Sequence, residues 1–201
     1  MIKIGITGSI ASGKTTASKF LSYKRGPLFS ADKVVKNFYK NNNFKRLIIK
    51  KFNIEKKSNL KNSLKKKILK NKKDIKKLEK IIHPLVRKEM KRFSIFNKKK
   101  KTLFYEVPLL IESKLTNHFD VIILIRAKKQ IRFKRFIDSG GNKKLFKILN
   151  KKQLSDQKKA RFCDHIISNE KNLNILKKNL LSIIKLYEWS IFRYRNNWFI
   201  I

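Results

Sequence analysis

Residues 8–15 read Gly8-Ser9-Ile10-Ala11-Ser12-Gly13-Lys14-Thr15, a match to the phosphate-binding loop pattern G-x-x-x-x-G-K-[ST] at every fixed position. The glycines permit a tight turn whose backbone N–H groups converge on phosphate oxygens, and a helix that begins at the loop points its positive end at the same anion. Lys14 is expected to reach the β- and γ-phosphates, and the Thr15 hydroxyl is expected to hold Mg²⁺. The stretch therefore predicts a nucleoside triphosphate site whose binding residues are Gly8, Ala11, Ser12, Gly13, Lys14, Thr15 and Thr16.

The segments on either side of the loop predict an α/β fold. Residues 2–7 are rich in β-branched side chains, as a strand requires, and residues 16–21 can open a helix. Helical stretches separate further predicted strands at 27–30, 102–107, 120–125 and 165–168. Strands that alternate with helices after a phosphate loop predict a parallel sheet covered by helices on both faces, with ligands beyond the carboxyl ends of the strands.

The stretch from residue 33 to about residue 96 contains no convincing strand. Its apolar residues recur at helical spacing, as in Val34, Val35 and Phe38. This stretch is too long for a simple crossover between parallel strands, so we predict that it is an inserted helical subdomain that binds substrate.

Composition bounds the class of protein. The chain has 201 residues, of which 41% are hydrophobic, which is enough for one α/β domain with insertions. Its single cysteine, Cys163, excludes an internal disulfide and a thiolate zinc cluster. No apolar stretch resembles a signal peptide or approaches the roughly 20 residues of a membrane span, so we expect a soluble cytoplasmic protein with no membrane partner.

The formal net charge of +40 would ordinarily indicate a nucleic-acid partner. Lysine, however, is spread along nearly the whole chain and accompanies abundant Asn, Ile and Phe, all of which have AT-rich codons. A biased genome produces this profile without selection for a basic binding face. We therefore expect no specific nucleic-acid partner, although a cationic surface attracts phosphorylated ligands.

Asp32 follows the second predicted strand at the edge where ligands bind. A carboxylate there could face the γ-phosphate and accept a proton from an attacking hydroxyl. The alternative is that Asp32 caps a helix that starts at Lys33. Taken alone, the sequence leaves both roles open.

The sequence His83-Pro84-Leu85-Val86-Arg87 predicts a helix start, with Pro84 near the first helical position. His83 and Arg87 are four residues apart, so they share one side of that helix. The pair favours a role in phosphate binding, and the alternative for His83 is simple capping. The third strand is expected to end before Pro108, with Glu106 as its last acidic residue.

These blocks together resemble the dephospho-CoA kinase family over most of the chain. The H-P-L-[VI] and V-P-L-L-x-E blocks are much more specific than the phosphate loop alone. In chain order the matching blocks are Gly8–Thr15, Ser30-Ala31-Asp32, His83-Pro84-Leu85-Val86, Val107-Pro108-Leu109-Leu110-Ile111-Glu112, Gln153 and Asp164-His165-Ile166-Ile167-Ser168-Asn169.

The resemblance implies transfer of the ATP γ-phosphate to the ribose 3′-hydroxyl of dephospho-CoA, the last step of CoA biosynthesis, with Mg²⁺. By position, Asp32 matches the general base of the family and Lys14 its phosphate-loop lysine. Candidate substrate-binding residues are His83, Arg87, Pro108 and Leu109. The implied organisation is a nucleotide core at 1–31, 97–129 and 162–201, a helical substrate domain at 32–96 and a mobile lid at 130–161, in a monomer or small homo-oligomer.

The lid departs from the family pattern, which has a Gln followed at fixed spacing by two arginines and an acid. Gln130 and Asp138 fit, but Phe133 and Ile137 occupy the arginine positions. Arg132 and Arg135 lie nearby and are the lid candidates, with solvent-facing helix residues as the alternative. A lysine could also serve, although lysine is a poorer bidentate phosphate ligand than arginine; the candidates are Lys134, Lys143, Lys144 and Lys147.

Other classes of ATP-using protein fit less well. A different small-molecule phosphate-loop kinase, acting on a nucleoside monophosphate or a metabolite, would not account for the H-P-L-V and V-P-L-L-I-E blocks. A nucleic-acid-dependent ATPase would require an apolar strand that ends in an acidic pair, and the sequence contains no such strand. A GTPase is excluded because Gln153 stands where a guanine-reading Asp would be needed.

Overall fold

The computed structural model describes residues 1–55 and 59–196, which divide into two compact units. One unit comprises Met1–Phe29 and the described residues from Asn97 onward, and the other is Ser30–Phe96. Along the chain the elements are β1 Ile2–Thr7, α1 Lys14–Ser22, β2 Leu28–Ser30, α2 Ala31–Phe38, α3 Asn42–Phe52, α4 Leu60–Lys70, α5 Lys72–Phe96, β3 Thr102–Glu106, a 3₁₀ turn Thr116–His118, β4 Val121–Arg126, α6 Lys129–Asp138, α7 Lys143–Lys152, α8 Asp156–Ala160, β5 His165–Ser168 and α9 Leu173–Asn196.

The sheet has five strands in the order β2-β3-β1-β4-β5. β1 pairs in parallel with β3 and β4, and β4 pairs in parallel with β5. In the register, Ile6 lies opposite Glu106 and Thr7 opposite Leu124. The predicted parallel α/β fold is therefore confirmed, and the carboxyl ends of β1, β3 and β4 share the edge at which the phosphate loop begins.

One face of the sheet is covered by α1 and α9. Ile4 and Ile6 are fully buried there against Ala17 and Leu21 of α1 and Leu180 of α9. Each large aliphatic side chain removed from water contributes about 1.5–3 kcal/mol, so this contact anchors α1, and with it the end of the phosphate loop.

All residues of β3 are buried, so both faces of the sheet are covered at this strand. Phe104 belongs to the cluster with α1 and α9. Tyr105 alternates with it and contacts two aromatic rings, Phe29 at 5.8 Å and Phe119 at 5.3 Å between centroids. A central strand buried on both faces places its last residue, Glu106, in a water-poor position.

Ser30–Phe96 forms a unit with its own core, built from α2 to α5. Apart from Ser30, which ends β2, its described residues form helices and connecting turns. Helices α3 and α4 and the segment that follows α3 supply the buried apolar cluster, which consists of Phe44, Ile48, Phe52, Ile54 and Leu64. The apolar residues at helical spacing thus pack among themselves.

The expected helix start at His83-Pro84 is wrong, because α5 runs unbroken through both residues. Pro84 lacks the N–H that would bond the Lys80 carbonyl, a defect that costs about 3 kcal/mol in a helix interior. Pro84 is exposed, so water can hydrate that carbonyl. The residues around the proline pack against the core of this unit; they are Leu78, Ile81, Ile82 and Leu85.

In the described part of the chain, no helix is both long enough and apolar enough to cross a membrane.

Candidate active site

The phosphate loop joins β1 to α1, and two of its glycines are required by close approaches. A Cβ on Gly8 would lie 2.1 Å from the Ile125 carbonyl oxygen. Gly13 has a φ of +94°, and a Cβ there would lie 2.1 Å from Nδ2 of Asn169. That same amide donates a hydrogen bond of 2.8 Å to the Ser12 carbonyl, so the loop is closed against the segment after β5.

Lys14 and Thr15 begin α1 at the loop. Nζ of Lys14 donates a hydrogen bond of 2.9 Å to the Ser9 carbonyl, and the residue is buried. The Thr15 hydroxyl donates a hydrogen bond of 2.5 Å to Oε1 of Glu106. The Ser12 hydroxyl is buried and has no hydrogen-bond partner among the described residues. An orphaned hydroxyl and a helix N-terminus in one turn are the features that an anionic ligand satisfies.

Side chains from α6 to α8 hold the outer part of the loop. Oε1 of Gln153 accepts a hydrogen bond of 2.7 Å from the Ile10 N–H, and Oδ1 of Asp156 accepts one of 2.5 Å from the Ser9 hydroxyl. Nη1 of Arg132 donates to the Ile10 carbonyl at 3.4 Å. The loop is therefore held by residues more than a hundred positions later in the chain.

Arg132 is buried, and so it is not the solvent-facing residue of the alternative interpretation. Its guanidinium also donates to the Ala127 carbonyl at 3.0 Å and to Oδ1 of Asn150 at 2.8 Å. Burial lowers the pKa of Arg132 from its ordinary value, and the nearby Asp156 carboxylate partly offsets that effect. The side chain is fixed by these contacts beside the phosphate loop.

Arg135, the other lid candidate, is half-buried. Its Nη1 atom is shielded from solvent and has no hydrogen-bond partner among the described residues. Phe133, at one expected arginine position, packs edge-on against Phe146 of α7 with ring centroids 5.2 Å apart, and Phe136 contacts the same ring at 5.6 Å. An apolar contact between α6 and α7 thus occupies the place of a charged side chain.

A buried lysine, Lys159, contacts the loop that follows β3. Lys159 is fully buried, with Nζ 3.0 Å from Oε1 of Glu112 and 3.1 Å from the Pro108 carbonyl. The Thr7 hydroxyl donates to the same Pro108 carbonyl at 3.2 Å. Pro108 and Leu109 are both half-buried. The backbone of this loop is therefore tied to β1 and to α8.

Asp32 is exposed and lies in the first turn of α2, two residues after the carboxyl end of β2. The expected helix start at Lys33 is wrong, because α2 begins at Ala31 and Ser30 occupies the cap position. The alternative role for Asp32 as an N-cap is excluded, since it stands inside the helix.

His83 and Arg87 lie one turn apart in the middle of α5, His83 half-buried and Arg87 exposed. They share one side of that helix, as their spacing requires.

The chemistry of the donors near Thr15 fits a small hard cation. Mg²⁺ prefers oxygen ligands and keeps several waters, so a hydroxyl and one carboxylate beside bound phosphates are suitable. Thr15 and Glu106 supply those groups. Among the described residues, no group of three or more His, Cys, Asp or Glu side chains forms a metal cluster of its own.

The model of one protein family matches residues 2–174, and its description is dephospho-CoA kinase. The chain belongs to the dephospho-CoA kinase family. The match begins with β1 and extends past Asn169, so it includes the phosphate loop, the loop after β3 and the α6–α8 segment. The predicted resemblance is confirmed.

Relatives named dephospho-CoA kinase cover nearly the whole chain. The protein from Fusobacterium nucleatum is 34% identical over 185 residues, which are 88% of this chain and 94% of its own length. The protein from Bartonella quintana is 35% identical over 187 residues, 90% of this chain and 96% of its own length.

Solved structures show the same fold. TT1252 from Thermus thermophilus superposes with a TM-score of 0.76 at 22% identity, over 92% of this chain and 96% of its own. A dephospho-CoA kinase from Campylobacter jejuni gives a TM-score of 0.63 at 24% identity, over 91% of this chain and 95% of its own.

Sequence reasoning did not assign a role to three side chains that contact the phosphate loop. They are Glu106, Gln153 and Asp156. Glu106 could have been found, because an acid at the carboxyl end of a central parallel strand lies at the ligand edge. Gln153 is among the blocks that resemble the family, but nothing local in the sequence assigns a role to Gln153 or Asp156, since only the fold brings them to Ser9 and Ile10.

Proposed function

We propose that the protein transfers the γ-phosphate of ATP to the 3′-hydroxyl of the ribose of dephospho-CoA, giving CoA and ADP. The observation that carries this proposal is the family match over residues 2–174, which includes the phosphate loop with Lys14 at its end. The reaction is the last step of CoA biosynthesis.

The phosphate loop binds the triphosphate through its N–H groups and the N-terminus of α1. Lys14 neutralises charge on the β- and γ-phosphates, which spread charge over their oxygens as the bond to the leaving group breaks. Its Nζ is held at the Ser9 carbonyl, so it lies in the loop and away from the exposed surface. Gly8, Ala11, Ser12, Gly13 and Thr16 complete the proposed ATP contacts.

Thr15 is the proposed ligand of Mg²⁺, and Glu106 assists it. When bound, the ion would supply positive charge that offsets the negative charge of the phosphate oxygens. Glu106 is buried, so its carboxylate is pre-positioned by the sheet and does not depend on a flexible surface side chain.

Asp32 is the proposed general base, which accepts the proton of the attacking hydroxyl. Three observations support this role: the carboxylate is exposed, it follows the carboxyl end of a strand of the parallel sheet, and it is not used as a helix cap. Parallel α/β folds bind their ligands at this edge.

Arg135 is the proposed lid cation. A charged donor that is buried without a partner is unfavourable, and an anionic phosphate would satisfy it. Arg132 has a different proposed part, because its guanidinium already makes three hydrogen bonds. It holds the Ile10 carbonyl of the phosphate loop and the Asn150 side chain of the proposed lid.

The remaining assignments follow the family organisation. The helical domain 32–96 is proposed to bind dephospho-CoA, with His83 and Arg87 as candidate phosphate contacts. Pro108 and Leu109 are the other candidate substrate-binding residues. The proposed lid is 130–161, and the proposed core is 1–31, 97–129 and 162–201, of which 197–201 lie outside the described residues. The proposed location is the cytoplasm, which suits a free cysteine, and the proposed state is a monomer or small homo-oligomer.

The decisive experiment is to incubate the purified protein with ATP, Mg²⁺ and dephospho-CoA and to measure CoA and ADP by mass spectrometry. Equal formation of both products is expected. AMP, uridine and shikimate serve as alternative acceptors, and DNA and RNA are added in separate reactions. Preferential phosphorylation of another acceptor, or ATP hydrolysis that requires nucleic acid, would contradict the proposal.

A further inference from the structure

The peptide between Ser9 and Ile10 is bonded on both of its polar groups. Its carbonyl, on Ser9, accepts hydrogen bonds from Nζ of Lys14 at 2.9 Å and from the Ser12 N–H at 3.2 Å. Its N–H, on Ile10, donates to Oε1 of Gln153 at 2.7 Å. A single peptide unit thus connects Gln153 to the lysine of the phosphate loop.

Peptide planarity makes that connection stiff. The C=O and N–H of one peptide unit point in opposite directions and cannot rotate independently. When Gln153 fixes the direction of the Ile10 N–H, it also fixes the Ser9 carbonyl, and that carbonyl is an acceptor for Nζ of Lys14. Without the acceptor oxygen of Gln153, the Ser9–Ile10 peptide is less restricted in orientation. The Ser9 carbonyl then holds Nζ of Lys14 less firmly in place.

Further contacts restrict the same two residues. The Ser9 hydroxyl donates to Oδ1 of Asp156, and the Ile10 carbonyl accepts from Nη1 of Arg132. Gln153 ends α7 in an extended conformation and Asp156 begins α8, so both side chains come from the turn between these helices. This turn therefore holds the loop residues in which the Lys14 ammonium is seated.

We propose that Gln153 is a positioning residue for phosphoryl transfer, acting on Lys14 through the Ser9–Ile10 peptide. Gln153 does not touch the reacting atoms in this proposal. The proposal rests on the proposed use of ATP but not on the identity of the phosphoryl acceptor. Part of the segment assigned to the lid is then an anchor of the phosphate loop.

The test compares three variants of the full chain. Gln153→Met keeps the length of the side chain and removes the acceptor oxygen. Gln153→Glu retains an acceptor oxygen for the Ile10 N–H. Gln157→Met is the matched control, because Gln157 is exposed in α8.

For CoA formation, Gln153→Met is expected to lower kcat by about tenfold or more, as small misplacements of catalytic groups do. Its melting temperature should stay close to that of the wild type, since one partly buried hydrogen bond is lost. Gln153→Glu should retain most of the activity, and Gln157→Met all of it. Unchanged kcat in Gln153→Met, or equal losses in the Met and Glu variants, would overturn the proposal.

Calorimetry of ATP binding with no acceptor present tests the role of Gln153 independently of the proposed function, because the result does not depend on which acceptor is phosphorylated. Gln153→Met should weaken ATP binding in the wild-type background and have no further effect in a Lys14→Ala background, because its action passes through Lys14. Additive losses would show that Gln153 acts independently of Lys14 and would overturn the inference. If Gln153→Met fails to fold, the same cycle is run with Gln153→Ala, which also removes the acceptor oxygen and adds no charge, and its effect should likewise vanish in the Lys14→Ala background.

Discussion

The Thr15 hydroxyl donates a hydrogen bond to Oε1 of Glu106, a contact between the first turn of α1 and the last residue of β3. The two residues are 91 positions apart in the chain. Their contact exists because β3 lies beside β1 in the sheet, with Ile6 opposite Glu106. The hydroxyl proposed as the Mg²⁺ ligand is thus oriented by a buried carboxylate.

Glu106→Gln should raise the Mg²⁺ concentration required for half-maximal activity by about tenfold, because loss of a group that supports a metal ligand commonly costs 10–100-fold in affinity. The measurement is a Mg²⁺ titration of CoA formation at saturating ATP. Glu89→Gln is the control, since Glu89 pairs with the exposed Arg92 in α5 and no role in metal binding is proposed for it. An unchanged Mg²⁺ requirement would exclude Glu106 from the metal site.

Lys14→Ala should lower kcat by about 10²–10³-fold or more, because a preorganised cation at the transferring phosphate is lost. The fold should remain intact, since Nζ of Lys14 bonds within the loop and the apolar cluster below it is unaffected. Steady-state kinetics and a thermal melt test both parts. Lys19→Ala, at an exposed position of the same helix, should behave as the wild type. Near wild-type turnover in Lys14→Ala would refute the assignment of the loop.

Asp32→Asn keeps the size of the side chain but removes the proton acceptor, so kcat should fall by about 10²-fold or more. The Kd for ATP should change little, because no ATP contact is proposed for this carboxylate. The control is Asp74→Asn, which removes an acid from the first turn of α5 and should cost only the helix-dipole contribution of about 0.3–1 kcal/mol. A loss of melting temperature without a loss of kcat would assign Asp32 a structural role.

The single thiol offers a test of the local electrostatics. Burial raises the pKa of Cys163 to about 11, an effect that Lys159 opposes and Asp164 reinforces. A raised thiol pKa favours the neutral, unreactive form, so at about pH 8 only about a thousandth of the native protein carries a thiolate. Alkylation by iodoacetamide should therefore be slow and should accelerate as the pH approaches the raised pKa.

The same reaction in urea supplies the comparison for Cys163. The unfolded chain should react with a midpoint at about pH 8.5, the ordinary value for cysteine. Coincident pH profiles for the native and unfolded protein would show that burial does not control this thiol.

If the net charge of +40 reflects composition alone, binding to duplex DNA should be weak and insensitive to sequence. It should also be lost steeply between about 50 and about 200 mM salt, because counterion release drives such binding. Fluorescence anisotropy measures DNA binding, and coupled ADP release measures the KM for dephospho-CoA. This KM should rise only modestly over the same range of salt concentration. DNA binding that resists salt and selects a sequence would reveal a functional basic face.

The alternation of strand-like and helical segments along the chain predicted the parallel α/β fold, and the local pattern at residues 8–15 was sufficient to predict the phosphate loop. It was sufficient because each requirement of the loop is met by neighbouring residues: glycines for the turn, a lysine and a hydroxyl at the helix start. The interpretation failed at Pro84, where a local rule predicted a helix start. Packing of the surrounding apolar residues of α5 outweighs the single missing hydrogen bond there.

The sequence by itself determined which elements form and which family the chain resembles, because hydrophobic periodicity and the phosphate-loop pattern depend on residues close together in the chain. The tertiary structure alone decided how the loop is held. Gln153, Asp156 and Arg132 reach Ser9 and Ile10 because the fold places the α6–α8 segment beside the phosphate loop. Such contacts leave no local pattern, since a hydrogen bond requires the two groups to be adjacent in space and sets no condition on the sequence between them.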